Sequence, residues 1–158
     1  MGKAVFQNRK NGFTLVEILV AMAILAVLTA ICVPNFIAYR RRAEYAAIQA
    51  TMRYLMDAED LYFIGNEGFY PHKGIISIPK GAEKSIPELR YTFSKGHKHS
   101  YFIFGLNTNT GKKRYNYYYI CVYSDFDFND NGQKDIFIAK TCIRNGRLIY
   151  NRKIYQYR

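Results

Sequence analysis

Residues 18–39 carry no charge, and this run constrains the chain more than any other feature. It is 22 residues long, bounded by Glu17 and Arg40. As an α-helix it reaches roughly 33 Å at 1.5 Å per residue, close to the ~30 Å hydrocarbon core of a bilayer. The run therefore predicts a transmembrane helix. Lys3, Arg9 and Lys10 precede it and Arg40-Arg41-Arg42 follow, so flanking charge does not orient it. A cleaved secretory signal fits poorly, because its apolar stretch is only about 7–15 residues and ends in a small-residue site. No A-x-A sequence closes the run here. A plain anchor accounts for the length but not for Glu17. A carboxylate in a membrane helix costs about 2.5–3.5 kcal/mol at the bilayer centre and less near an interface, so it usually has a partner.

The residues around Glu17 form a motif. Lys10-Asn11-Gly12-Phe13-Thr14-Leu15-Val16-Glu17 resembles the processing site of type IV prepilins and pseudopilins. The resemblance is strong over residues 9–62 and weak beyond. It implies a leader peptide, residues 1–12, cut between Gly12 and Phe13 by a membrane peptidase that also methylates the new Phe13 amine. Counted from Phe13, Glu17 is the fifth residue and Pro34 the twenty-second, as the family expects. Both are implied assembly residues. A terminal amine has a reference pKa of about 8 and is mostly cationic at pH 7. Glu17 can neutralise it, on its own chain or, in the arrangement favoured for the family, on the adjacent subunit. In a low-dielectric filament core such a pair would set axial register. Pro34 has no N–H for the Ala30 carbonyl, so a kink or local loosening is expected. Ala21, Ala23, Ala26 and Ala30 permit close helix approach.

Past the apolar run, Ala43, Ala47, Ala50, Tyr54, Ala58 and Leu61 recur at helical spacing. Arg42, Gln49, Arg53, Asp57 and Asp60 fall mostly on another face. One helix is expected from about residue 14 to residue 64, ended by Gly65, Gly68 and Pro71. Residues 65–88, with three prolines and four glycines, read as a loop. Residues 89–94, 101–106 and 116–123 read as strands, with shorter candidates at 135–141 and 147–150. Asn145-Gly146 between apolar runs signals a type I′ hairpin. The expected architecture is α+β: a long N-terminal helix, half transmembrane and half amphipathic, packed on a C-terminal antiparallel β-sheet. Its expected parts are the leader 1–12, an apolar helix 13–39, and a globular domain 40–158 with its sheet at 89–158. At 158 residues and 49% hydrophobic, the chain supports one modest core.

Two constellations in the C-terminal half bear on ligands and redox state. From Asp127 the sequence reads D-x-N-x-N-G, matching the first positions of an EF-hand loop, with Asp135 at the ninth. The bidentate Glu is missing; Ile138 stands there. Asp127, Asn129, Asn131 and Asp135, with Asp125 beside them, are the candidate Ca²⁺ ligands. The competing reading is an Asx-rich surface turn capping its own backbone. Some pilins and pseudopilins bind calcium in such loops, and many carry a C-terminal disulfide. The resemblance thus suggests a Cys121–Cys142 bridge, worth roughly 3 kcal/mol for a loop of about 20 residues. Two free thiols are the alternative. Cys32, in the apolar helix, reads as a small buried hydrophobe.

Nothing resembles a nucleophile–base–orienter set or a phosphate-binding loop, which argues against an enzyme. Lys95-Gly96-His97-Lys98-His99 reads as a solvated basic loop rather than a metal or phosphate site. The formal net charge is +11, falling to +8 once the leader is removed. Tyr115, Tyr117, Tyr118, Tyr119 and Tyr123 near Lys112-Lys113-Arg114 mix rings and cations in a way that suits single-stranded nucleic acid. A strand packing on the helix is the reading favoured by sequence. The resemblance implies a subunit of a type IV pilus, for adhesion, motility or DNA uptake. A type II secretion pseudopilin or a minor DNA-binding pilin is the alternative. Its implied partners are copies of itself in a helical filament, the prepilin peptidase, the pilus assembly machinery and the inner membrane. The implied path runs from a single-pass precursor in the inner membrane to a pilus at the cell surface.

Overall fold

The computed structural model describes residues 12–110, 113–150 and 152–157. The expected leader, apart from Gly12, lies outside them, as does Lys112. The chain divides into two compact units, Met1–Arg40 and Arg41–Arg158. One helix, α1 (Leu15–Asn66), is continuous over 52 residues. It runs through Pro34 without interruption of the helical assignment.

In the first unit, the helix is exposed at every described side chain. It is long and apolar enough to cross a membrane. Two polar side chains within it bond to their own backbone. The Thr29 hydroxyl donates to the Leu25 carbonyl at 2.7 Å and the Asn35 amide to the Ile31 carbonyl at 3.2 Å. In lipid, where no water can satisfy them, such i−4 bonds remove the cost of carrying these groups.

In the second unit, the rest of α1 packs on an antiparallel sheet. Its strands are β1 (Lys73–Ile78), β4 (Ser100–Thr110), β5 (Lys113–Tyr123), β6 (Ile136–Arg144), β7 (Arg147–Tyr150) and β8 (Ile154–Tyr157). The order is β1-β4-β5-β6-β7, with β8 also paired to β6. β7 takes the C-terminal end of β6 and β8 the N-terminal part, so both lie along one long strand. A separate two-stranded piece joins β2 (Lys84–Ile86) and β3 (Tyr91–Phe93) around a 3₁₀ turn at Pro87–Leu89. The region read as a loop, 65–88, thus contains β1 and β2. β1 is an edge strand half exposed along its length, and its adjacent Ile75 and Ile76 break the apolar–polar alternation in the sequence.

The core joins Ile48, Met52, Leu55 and Met56 of α1 to Ile103, Tyr118, Ile120, Val122, Phe137 and Ala139 of the sheet. The helix face that packs is not the one the alanine stripe marks. Ala43, Ala47, Ala50, Tyr54 and Leu61 are exposed, and only Ala58 of that set is buried. Larger side chains one turn apart, Ile48, Met52 and Met56, remove more apolar area than alanines, so they define the buried face. Strand alternation is strict: Asn116, Tyr118, Ile120 and Val122 point to the core, whereas Tyr115, Tyr117, Tyr119, Cys121 and Tyr123 stand on the outer face. The Asn145-Gly146 turn has both residues at positive φ, 48° and 76°, as a type I′ hairpin requires.

The connection from α1 to β1 is held by side chains. Asn107 accepts from the Phe69 N–H at 2.9 Å and donates to the Phe69 carbonyl at 2.7 Å. Glu59, fully buried, accepts from the Tyr70 N–H at 2.8 Å through one oxygen, while the other has no hydrogen-bond partner. Burial pushes the Glu59 carboxyl up to about 8, against the lowering effect of the Tyr70 bond. Gly105 is required by close approach: a Cβ there would lie 1.9 Å from the Pro71 carbonyl oxygen.

Candidate assembly site

The site begins at the helix N-terminus. Thr14 and Glu17 form a capping box. The Thr14 backbone N–H and hydroxyl both donate to one Glu17 carboxylate oxygen at 2.8 Å, and the Glu17 N–H donates to the Thr14 hydroxyl at 3.3 Å. Sequence reasoning did not single out Thr14, although the signal is there: Thr-x-x-Glu ahead of an apolar run is the signature of this cap. In the single chain, then, Glu17 organises the start of α1 and is not covered by any other part of the chain. Phe13, just before it, is 85% exposed. From Phe13 to Tyr39 most of the exposed side chains are large and apolar, with small alanines between them. Nothing in the first unit covers them, so the surface is complete only against lipid or another apolar body.

The Asp/Asn loop sits between β5 and β6. Asp127 accepts from three backbone N–H groups: Asn129 at 3.2 Å and Asn131 at 3.3 Å through Oδ1, and Gly132 at 2.6 Å through Oδ2. Asp135, fully buried, accepts from the Phe128 N–H at 2.6 Å and the Asn129 side-chain amide at 2.9 Å. The Asn131 side-chain oxygen caps the Gln133 N–H at 2.8 Å. Asp125 pairs with Lys80 and Lys134, whose ammonium groups hold its carboxyl below the usual carboxylate range. Asp130 pairs with Arg41 at 2.6 Å. The candidate calcium ligands are thus brought close in sequence order, but their oxygens are engaged by N–H and ammonium donors. Among the described residues no three His, Cys, Asp or Glu side chains converge as metal ligands would. These hydrogen bonds are those of an Asx turn.

The cysteine pairing is corrected. Cys121 and Cys142 are free thiols. Both stand on the outer face of β5 and β6, but Cys121 is registered to Ile138 and Cys142 to Tyr117. That offset of four residues separates them by roughly 13 Å along the strands at about 3.3 Å per residue, beyond the ~7 Å Cα separation a disulfide tolerates. Cys32, expected to be buried, is exposed on the apolar helix. His97 and His99 also differ from a solvated loop. His99 is buried beside Glu44, its Nε2 3.5 Å from the carboxylate, and burial lowers its basicity.

Comparison with known proteins bears on the N-terminal element most directly. The family model of the prokaryotic N-terminal methylation motif matches residues 7–33, which contain Gly12, Phe13 and Glu17. The chain is similar to type IV pilins. It is 33% identical over 78 residues to the type IV major pilin protein PilA of Myxococcus xanthus, covering 44% of this chain and 36% of that protein. It is 28% identical over 91 residues to the type IV wide pilus major component PilA4 of Thermus thermophilus, covering 58% of this chain and 69% of that protein. The chain therefore spans about a third of the first relative's length and about two thirds of the second's. No solved structure matches this chain. Its long N-terminal helix and antiparallel sheet form the α+β layout typical of pilins.

Proposed function

We propose that this chain is the structural subunit of a type IV pilus, trimmed between Gly12 and Phe13 by a prepilin peptidase and packed helix to helix with copies of itself. The observation that carries this reading is an apolar helix, exposed at every described side chain from residue 15 to residue 40, that starts at a methylation motif. Before assembly, lipid covers that surface and the chain is a single-pass precursor in the inner membrane. After assembly, neighbouring copies cover it in a filament at the cell surface. Two relatives, both named as major pilus components, support the fibre-forming role over a pseudopilin or minor-pilin role. Glu17 changes partners along this path. It caps its own helix with Thr14 in the single chain, and meets a neighbour's Phe13 amine in the fibre, where a buried carboxylate needs a cation.

The test is Glu17→Val. Trimming and methylation at Phe13 continue, since the cut lies four residues upstream, whereas the yield of sheared filaments falls at least tenfold. A normal filament yield from the Val variant would remove the register role of Glu17.

A further inference from the structure

The first turns of the packed half of α1 meet the 95–99 segment in a contact that the core does not account for. Of residues 41–47 only Glu44 is even half-buried, and the first α1 side chain to enter the core is Ile48. Tyr45, itself 37% exposed, supplies the large apolar contact of these turns, its ring set edge-on to Phe128 and to Phe137, each at 5.6 Å between centroids. The rest is charge. Arg41 pairs with Asp130. The Glu44 carboxylate takes the Lys98 ammonium on one oxygen and faces the His99 ring with the other. Ion pairs that water still reaches contribute little each, so this contact opens more readily than the core beside it.

His99 is the anomaly within it. The side chain is 4% exposed, yet neither ring nitrogen has a hydrogen-bond partner, and Nε2 stops 3.5 Å from the Glu44 carboxylate. A buried polar atom left unpaired is costly and calls for an explanation. The ring is faced from every element around it. Glu44 comes from α1, Lys98 from its own segment, and Asp125, itself held by Lys80 and Lys134, from the start of the 125–135 loop. The Phe126 ring lies 6.0 Å away. Burial lowers the basicity of His99 below its ordinary 6.5, over the opposing pull of Glu44 and Asp125. The imidazole is therefore neutral in the closed contact at pH 7. Charging it would bury a cation beside the Lys98 ammonium, and opening the contact gives that cation water.

From this arrangement we infer that His99 is an acid-operated release: protonation of its imidazole frees α1 residues 41–47 from the 95–99 segment while the sheet and the core packing from Ile48 onward stay closed. The share of stability that His99 gives the contact is full above pH 6.5 and is lost as pH falls below it. Burial pushes the Glu44 carboxyl up, but Lys98 and His99 outweigh it and hold it below its ordinary 4.5, so the share from Glu44 is lost only in stronger acid. Glu59, in the core, responds in the opposite direction, toward alkali. Residues 41–47 are the first of the second unit, so the release acts where that unit begins. The inference does not rest on filament formation.

The test uses the full chain in nonionic detergent micelles. Deuterium exchange at the imidazole C2 position, read by mass spectrometry over a pH series, gives the protonation midpoint of His99, and a midpoint below 6.5 is expected. A helical turn that loses its packing loses most of its stability. Amide exchange over residues 41–47 and 95–99, corrected for the intrinsic effect of pH, is therefore expected to rise about fivefold or more from about pH 7.5 to about pH 5, with β5 and residues 48–56 unchanged. His99→Gln places there a side chain that takes up no proton, and the rise falls to less than about twofold. If that variant loses its fold, judged by its melting temperature at neutral pH, the midpoint on the parent chain decides alone. A midpoint at or above 6.5 would overturn the inference. So would a rise that persists in His99→Gln, or one that runs equally through β5.

Discussion

The two halves of α1 share one helix and obey opposite rules. From Arg41 onward the helix buries Ile48, Met52 and Leu55 completely against the sheet of its own chain. From Leu15 to Arg40 it buries no described side chain, although it is the more apolar half. A soluble domain cannot leave so wide an apolar surface facing water. The difference teaches that hydrophobicity alone does not make a core. The second half obtains its covering from the same sequence, whereas nothing in the first unit covers the first half.

The largest expected effect sharpens this contrast directly. Leu55→Ala opens a cavity under the sheet and lowers stability by about 2–5 kcal/mol, read as denaturant unfolding of the micelle-bound chain. Leu25→Ala, at a side chain 61% exposed, changes the same unfolding by no more than about 0.5 kcal/mol. Equal losses at the two positions would break the division.

A second prediction concerns the charge that the packed half buries. Glu59 has a carboxyl raised from its ordinary 4.5 to about 8 in the folded chain. Folding therefore takes up a proton between those values, and stability is full below pH 4.5 and declines as pH rises toward about 8. Glu59→Gln keeps an acceptor for the Tyr70 N–H and abolishes that decline, so the variant gains on the parent by up to a few kcal/mol above about pH 8. A pH series of melting temperatures shows it; parallel curves for the two proteins would contradict it.

The smallest effect concerns the Asp/Asn loop. Since Asp127 and Asp135 are bonded to backbone and side-chain N–H groups, adding calcium or a chelator is expected to move the melting temperature by less than about 1 °C. A clear rise with calcium would show that the cation displaces those bonds.

Much of this is legible in the sequence, and the misses have physical causes. The uncharged run, the strands around Tyr101 and Tyr118, and the Asn145-Gly146 turn depend on local pattern, which one sequence displays. The motif brings out Gly12, Phe13 and Glu17 for the same reason. The packed face of α1 is misread because the alanine stripe is regular yet small, while the true face includes Met52, Met56 and the ionisable Glu59. A carboxylate at mid-helix reads as solvent-facing, and only the neighbouring Tyr70 N–H explains its burial. β8 is invisible because its pairing depends on β6 being long enough to take two partners. For Cys121 and Cys142, neighbouring strands are foreseeable, but the four-residue offset is a property of register that no local pattern reveals.

The central claim is that the uncovered half of α1 becomes a fibre interface after the leader is removed. Mass spectrometry of filaments sheared from the cell surface tests it most directly. The account predicts that the sheared material is dominated by this chain beginning at N-methylated Phe13. A trimmed chain that stays in the membrane fraction and is only a trace in filaments, or one that reaches the filament still carrying residues 1–12, would contradict it.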